Sequence, residues 1–203
     1  QKIGHDVCHL YLDIVDYPGE WLLDLPLLDL SYAQWSAQIR EQLQSPQRRH
    51  LAEPWLKAGS RWSASQPFSS VMDEVKNISA LYTQYLQDCR SQLGLQSIQP
   101  GRFVLPGEFA GAPMLQFVPW VWGLPAESPA HDSLYGLLQA RYEAYKEHVV
   151  KQFYQKHFSG FDRQIVLVDC LQPLKVSCEA IYDLRDTLGQ LLQSFQYGNS
   201  HWW

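Results

Sequence analysis

Asp16, Gly19 and Glu20 are the residues whose types and spacing best suit chemistry on a phosphate. The run Leu10–Tyr11–Leu12–Asp13–Ile14–Val15 reads as an apolar strand that ends in Asp16, and Pro18–Gly19 then turns the chain sharply. A carboxylate delivered to a strand end can reach a magnesium ion or its water shell. A glycine shortly after it lets a backbone N–H approach a terminal phosphate, because no Cβ stands in the way. Glu20 comes next, where a carboxylate can act as a base or hold the attacking water. The same D-x-x-G spacing also fits a plain strand end, a tight turn and an exposed turn Glu.

Other candidates are thinner. Asp169 ends a second apolar run and sits where open α/β sheets place ligands, but it also suits an Asp that satisfies loop amides ahead of Gln172–Pro173. Arg102, in a Gly/Pro-rich loop, has the reach of an arginine finger, and a structural ion pair suits it better. His148 and His157 do not share a helix face at ligand spacing. Cys8, Cys89, Cys170 and Cys178 form no C-x-x-C and have no His at finger spacing, so they read as reduced thiols of a cytoplasmic protein. No G-x-S-x-G occurs. G-x-x-x-x-G-K-S/T, the loop that cradles α- and β-phosphates, is missing, as is an N/T-K-x-D element that reads guanine. The D-x-x-G cannot hold a nucleotide by itself.

Composition bounds the class. With 203 residues and 46% hydrophobic content, the chain suffices for one sizeable core or one domain with a large insertion. A net charge of -5 argues against a sequence-independent nucleic-acid binder. No apolar run approaches the roughly 20 residues that span a bilayer, and Gln1–His9 is too polar for a signal peptide. Gln1 in place of Met and the terminal His201–Trp202–Trp203 suggest a piece of a longer protein. The 8 tryptophans fall mostly at positions that suit packing.

The elements that must position Asp16–Glu20 are predicted to be strands near the two ends with helices between. After an irregular turn around Pro26, a helix opens at Ser31 with Gln34 completing a capping box, and stops near Ser45–Pro46. Residues 46–68 read as loop with one helical turn around Trp55. A helix from Ser70 to Leu93 ends at Gly94. A long loop over 99–113 includes a short extended piece, Arg102–Leu105, and Met114–Trp120 suggests another strand or extended segment. A helix then runs from Ser133 to Phe158. Arg163–Asp169, apolar on both faces, reads as a central parallel strand, and a helix over Glu179–Phe195 follows with Ser177 as N-cap. Strand, turn and helix at both ends predict an α/β fold interrupted by helical material.

Three stretches carry a resemblance. Tyr11 to Leu27 (YLDIVDYPGEWLLDLPL), Ile98 to Gln116 (IQPGRFVLPGEFAGAPMLQ) and Phe161 to Leu174 (FDRQIVLVDCLQPL), with Gln193–Gly198 following, closely resemble the YcjX family of bacterial stress-associated P-loop NTPases. The resemblance covers nearly the whole chain. It implies a GTPase-like α/β core, represented by residues 1–20 and 161–203, with residues 21–160 as a mostly helical insertion. Family members carry a glycine-rich phosphate loop upstream and a Thr-Lys-x-Asp element downstream, and this sequence lacks both. The family motif maps onto Asp16 as the magnesium-linked carboxylate and Gly19 as the γ-phosphate sensor, with Glu20 beside them as a water-holder.

The complete protein is then expected to bind and hydrolyse GTP or ATP with Mg2+, and to reorder residues 17–30 on hydrolysis. This chain alone is expected to be inactive, and of marginal stability if its two strands lose a shared neighbour. The contrasting expectation is a helical module, over residues 21–160, that docks a stress-response or membrane-associated protein partner and has vestigial nucleotide chemistry or none.

Overall fold

The computed structural model describes residues 11, 13–123, 130, 132–158, 163 and 165–196. After extended residues 13–18, the chain winds into a 3-10 segment, Gly19–Asp29, with Pro26 inside it. Among the described residues the main helices that follow are α1 (Tyr32–Gln42), α2 (Pro46–Ala58), α3 (Met72–Leu93), α4 (Leu134–Tyr145), α5 (Leu171–Val176) and α6 (Cys178–Gln196). α4 continues through π-helical Lys146–Val150, one α-helical turn at Lys151–Phe153, and π-helical Tyr154–Phe158. Short helical turns sit at Phe68–Ser70, Gly101–Val104, Gly107–Phe109 and Pro113–Leu115.

The predicted α/β architecture is overturned. Helix accounts for 69% of the described residues, and no strand or sheet occurs among them. A single antiparallel bridge joins Pro67 to Ser133. The described part of the first predicted strand is extended but unpaired, with Ile14 83% exposed, and the same holds for 165–169, where Leu167 is 91% exposed. The physical reason is simple. Apolar, β-branched runs favour an extended backbone, but a strand exists only where another extended segment aligns to take up its N–H and C=O groups. Among their described residues these two runs form no bridge with each other. Leu10 and Leu12 lie outside the described residues.

Most helix boundaries follow local rules. Ser31 caps α1: its Oγ accepts the Gln34 N–H at 3.3 Å, and Gln34 Oε1 accepts the Ser31 N–H at 2.9 Å. Gly94, at φ 67°, closes α3 in the left-handed conformation that glycine adopts without strain. Ser177 Oγ accepts the Ala180 N–H at 3.1 Å at the start of α6. One helix departs from expectation. Residues 46–58 form α2, because Ser45 caps it and Pro46 occupies its first turn, where a missing N–H costs nothing. The predicted extended piece Arg102–Leu105 is instead a helical turn, Gly101–Val104. Residues 116–121 are extended without a ladder, and Phe117, Val118 and Trp120 are buried.

The core is aromatic. Tyr32, Trp35, Trp55, Tyr82, Phe117 and Tyr142 are fully buried, and Trp35 stacks on Tyr142 at 5.1 Å and 16°. Edge-to-face pairs dominate the rest, including Trp35–Phe117 at 5.6 Å and Trp55–Tyr82 at 5.2 Å. Buried hydroxyls reach backbone carbonyls: Tyr32 donates to Val118 O at 2.7 Å, and Tyr142 to Leu30 O at 3.0 Å. These bonds fix α1 to the extended segment 116–121 and α4 to the end of the 3-10 segment.

α6 is held to this body by an ion pair. Arg48 of α2 donates to Asp183 Oδ1 at 2.6 Å, and both side chains are almost fully buried. Asp183 also accepts the Gln96 and Ser97 N–H groups and the Ser97 hydroxyl. With its oxygens so engaged, the pair has the hydrogen bonds that a buried charge requires.

Candidate functional site

Asp16 and Gly19 lie exposed at the junction between the extended residues and the 3-10 segment. A Cβ added to Gly19 would meet no described atom within 4 Å, so packing against the described residues does not account for its lack of a side chain. Glu20 behaves differently. Its side chain is 17% exposed and ion-pairs with Arg90, Glu20 Oε1 lying 2.5 Å from Arg90 Nη1. Arg90 stands in the last turn of α3, where the helix C-terminus favours a cation. The three candidates are therefore contiguous in sequence, but Glu20 turns onto the helical body while Asp16 and Gly19 face open space.

The 3-10 segment is anchored by Asp24, which is buried in a Leu-rich run. Asp24 Oδ1 accepts the Gly101 N–H at 2.7 Å, and Oδ2 accepts the Arg102 N–H at 3.3 Å and the Tyr145 hydroxyl. Burial pushes the Asp24 carboxyl up to about 6, against the opposing pull of Tyr145, the two N–H groups and the Arg102 charge. Gln99 Nε2 adds a bond to Leu23 O at 2.6 Å. The loop of residues 98–109 thus docks side by side with the Gly19–Asp29 segment.

Arg102 shows how an arginine can be consumed by structure. Its guanidinium lies 3.3 Å from the centroid of the Trp21 ring and 3.5 Å from Glu108 Oε2, with the residue 3% exposed. Trp21 in turn donates through Nε1 to Leu105 O at 3.2 Å. The structural ion pair is the role observed. Gly101 is required for a different reason: a Cβ there would fall 1.9 Å from Glu20 O. Gly101→Ala should therefore force the 98–109 loop off the 3-10 segment and cost about 1–3 kcal/mol of stability, measurable by chemical denaturation of the complete protein.

The remaining candidates are structural or apart from this site. Asp169 Oδ1 accepts the Leu171 and Gln172 N–H groups at 3.0 and 3.1 Å, capping the turn into α5. Among the described residues no group of three or more His, Cys, Asp or Glu side chains could hold a metal, so Asp16 belongs to no such group. Cys89 is buried, and Cys170 and Cys178 are exposed free thiols. No described helix is long and apolar enough to cross a membrane.

The model of the YcjX-like family, DUF463, matches residues 1–203. The chain belongs to the YcjX-like family. It is 48% identical over 199 residues to a protein of Escherichia coli strain K12 named Ras-like GTPase YcjX, covering 95% of this chain and 42% of that protein. A Shewanella oneidensis strain MR-1 protein of the same name is 41% identical over 204 residues, covering 96% of this chain and 41% of its own length. The chain thus spans less than half the length of these YcjX-like relatives. Sequence reasoning missed two members of the site, Asp24 and Arg90. A lone Asp within Trp21–Leu28, otherwise apolar, was the available signal for Asp24. Arg90 carried none, since a surface Arg in a last helical turn is ordinary.

Proposed function

We propose that this chain is the switch-bearing portion of a GTP-hydrolysing protein that requires Mg2+. The observation that carries the reading is the open D-x-x-G: Asp16 and Gly19 are exposed, and no described neighbour explains Gly19. Relatives named Ras-like GTPases support GTP as the nucleotide. A single exposed carboxylate suits Mg2+, which is usually held by one or two carboxylates with substrate phosphates and waters completing its shell.

In this reading Asp16 holds the magnesium shell and the Gly19 N–H approaches the γ-phosphate. The ion would neutralise charge on the phosphates. Glu20 orients the water that attacks the γ-phosphorus; the bond to the β–γ bridging oxygen breaks, and GDP and inorganic phosphate leave. Asp24 and Gly101 take no part in the chemistry. They fix the far end of the segment, so that the response to the γ-phosphate stays within its first residues. A bacterial stress response is the setting this reading suggests, through the YcjX resemblance.

The test is equilibrium binding of GTP and ATP to the complete protein, with and without Mg2+. GTP binding that weakens on magnesium removal is expected. Absence of binding by either nucleotide would reject the reading, and equal affinity for ATP would reject the choice of GTP.

A further inference from the structure

We propose that Arg90 is a latch that competes with the hydrolytic site for Glu20, in the nucleotide-loaded protein as well as in the free one. The inference rests on the reading of Glu20 as the water-orienting residue. Its basis is the contrast between neighbours: Asp16 and Gly19 are exposed, whereas the Glu20 carboxylate turns away onto α3 and meets Arg90 at 2.5 Å.

Two contacts hold Glu20, and they differ in kind. Its backbone carbonyl is packed against Gly101, where even a methyl group would not fit, so the main chain is fixed by shape. Its side chain, 17% exposed, ion-pairs with an arginine whose side chain is 49% exposed. An ion pair of that exposure is weak and exchanges readily. Arg90 has a second reason to stay in place, at the C-terminal turn of α3, so the latch remains set when Glu20 leaves. The 3-10 geometry of the segment, with poorer hydrogen bonds than an α-helix, suits a stretch that must repack around its first residues. A carboxylate paired with Arg90 is not free to hold a water. Freeing it shifts a two-state population by the strength of the pair, a factor of about three to five.

The experiment is steady-state GTP hydrolysis by the complete protein with Mg2+, for the wild type, Arg90→Gln, Arg90→Lys, Glu20→Gln and the double variant Glu20→Gln/Arg90→Gln. Arg90→Gln should raise kcat about three- to fivefold with KM for GTP unchanged. Arg90→Lys, which keeps the charge, should stay near the wild-type rate. Glu20→Gln should lower kcat by about tenfold or more, and the double variant should be equally slow. Arg90 is half-exposed at a helix end, and thermal melts confirm that each variant is folded. A slow Glu20→Gln with an unchanged or slower Arg90→Gln overturns the latch alone. An unimpaired Glu20→Gln removes the role of Glu20, and the latch falls with it.

Discussion

Asp24→Ala should destabilise the complete protein by about 3–6 kcal/mol, enough to leave the Gly19–Asp29 segment undocked at ordinary temperature. The substitution deletes the acceptor of three buried donors, the Gly101 and Arg102 N–H groups and the Tyr145 hydroxyl, and opens a small cavity beside them. Each buried donor left without a partner costs about 1–3 kcal/mol, and a whole domain is stable by only about 5–15. Urea denaturation followed by tryptophan emission measures the loss. A change below about 1 kcal/mol would show that the carboxylate is not the anchor.

The same residue carries a pH signature. Its folded-state value, about 6, lies above the ordinary 3.8, so the native state binds the proton more tightly than the unfolded chain. The charged or titratable groups facing it are Tyr145, Tyr142 and Arg102. The contribution of Asp24 to stability is greatest below about pH 4 and is lost as pH rises through about 6, where the buried carboxylate is ionised. Asp24→Asn, which cannot ionise, should flatten that slope. The gap between wild type and Asp24→Asn should therefore move in favour of wild type as pH is lowered from 7 to 4. A gap independent of pH would contradict the raised value.

Asp16→Ala should lower magnesium-dependent GTP turnover of the complete protein about 10²–10³-fold while leaving its melting temperature unchanged. The first half follows from the place given to the carboxylate, since removing one group that stabilises charge in a reacting site costs about that much. The second half follows from exposure: Asp16 lies on the surface among the described residues, outside the buried core of the helical body. Turnover kept at the wild-type level would remove Asp16 from the mechanism. A fall in turnover accompanied by a large fall in melting temperature would point to unfolding instead.

The helical body was legible where local physics decides. Ser31 and Gln34 at capping-box spacing, Gly94 after a helical stripe, and Ser177 before one each announce a helix end that tertiary context does not move. Packing rules also placed the aromatic residues inward. Other features depend on contacts distant in sequence. Pro46 resembled a stop because a stop and a first-turn proline look alike until Ser45 is seen to cap. Ile14 and Leu167 look like strand residues, and only pairing distinguishes a strand from an extended segment. Asp16, Gly19 and Glu20 were legible as a motif, but not the turning of Glu20 onto Arg90, which lies 70 positions along the chain and meets it only through the docking of the 3-10 segment.

The segment beginning at Asp16 should respond to the γ-phosphate while its far end stays anchored through Asp24. Amide hydrogen exchange of the complete protein with Mg2+, compared between GDP and a non-hydrolysable GTP analogue, tests it directly. Protection should rise at residues 16–22 with the analogue and change little at Asp24 and Gly101. Identical exchange over residues 16–22 in the two states would contradict the account.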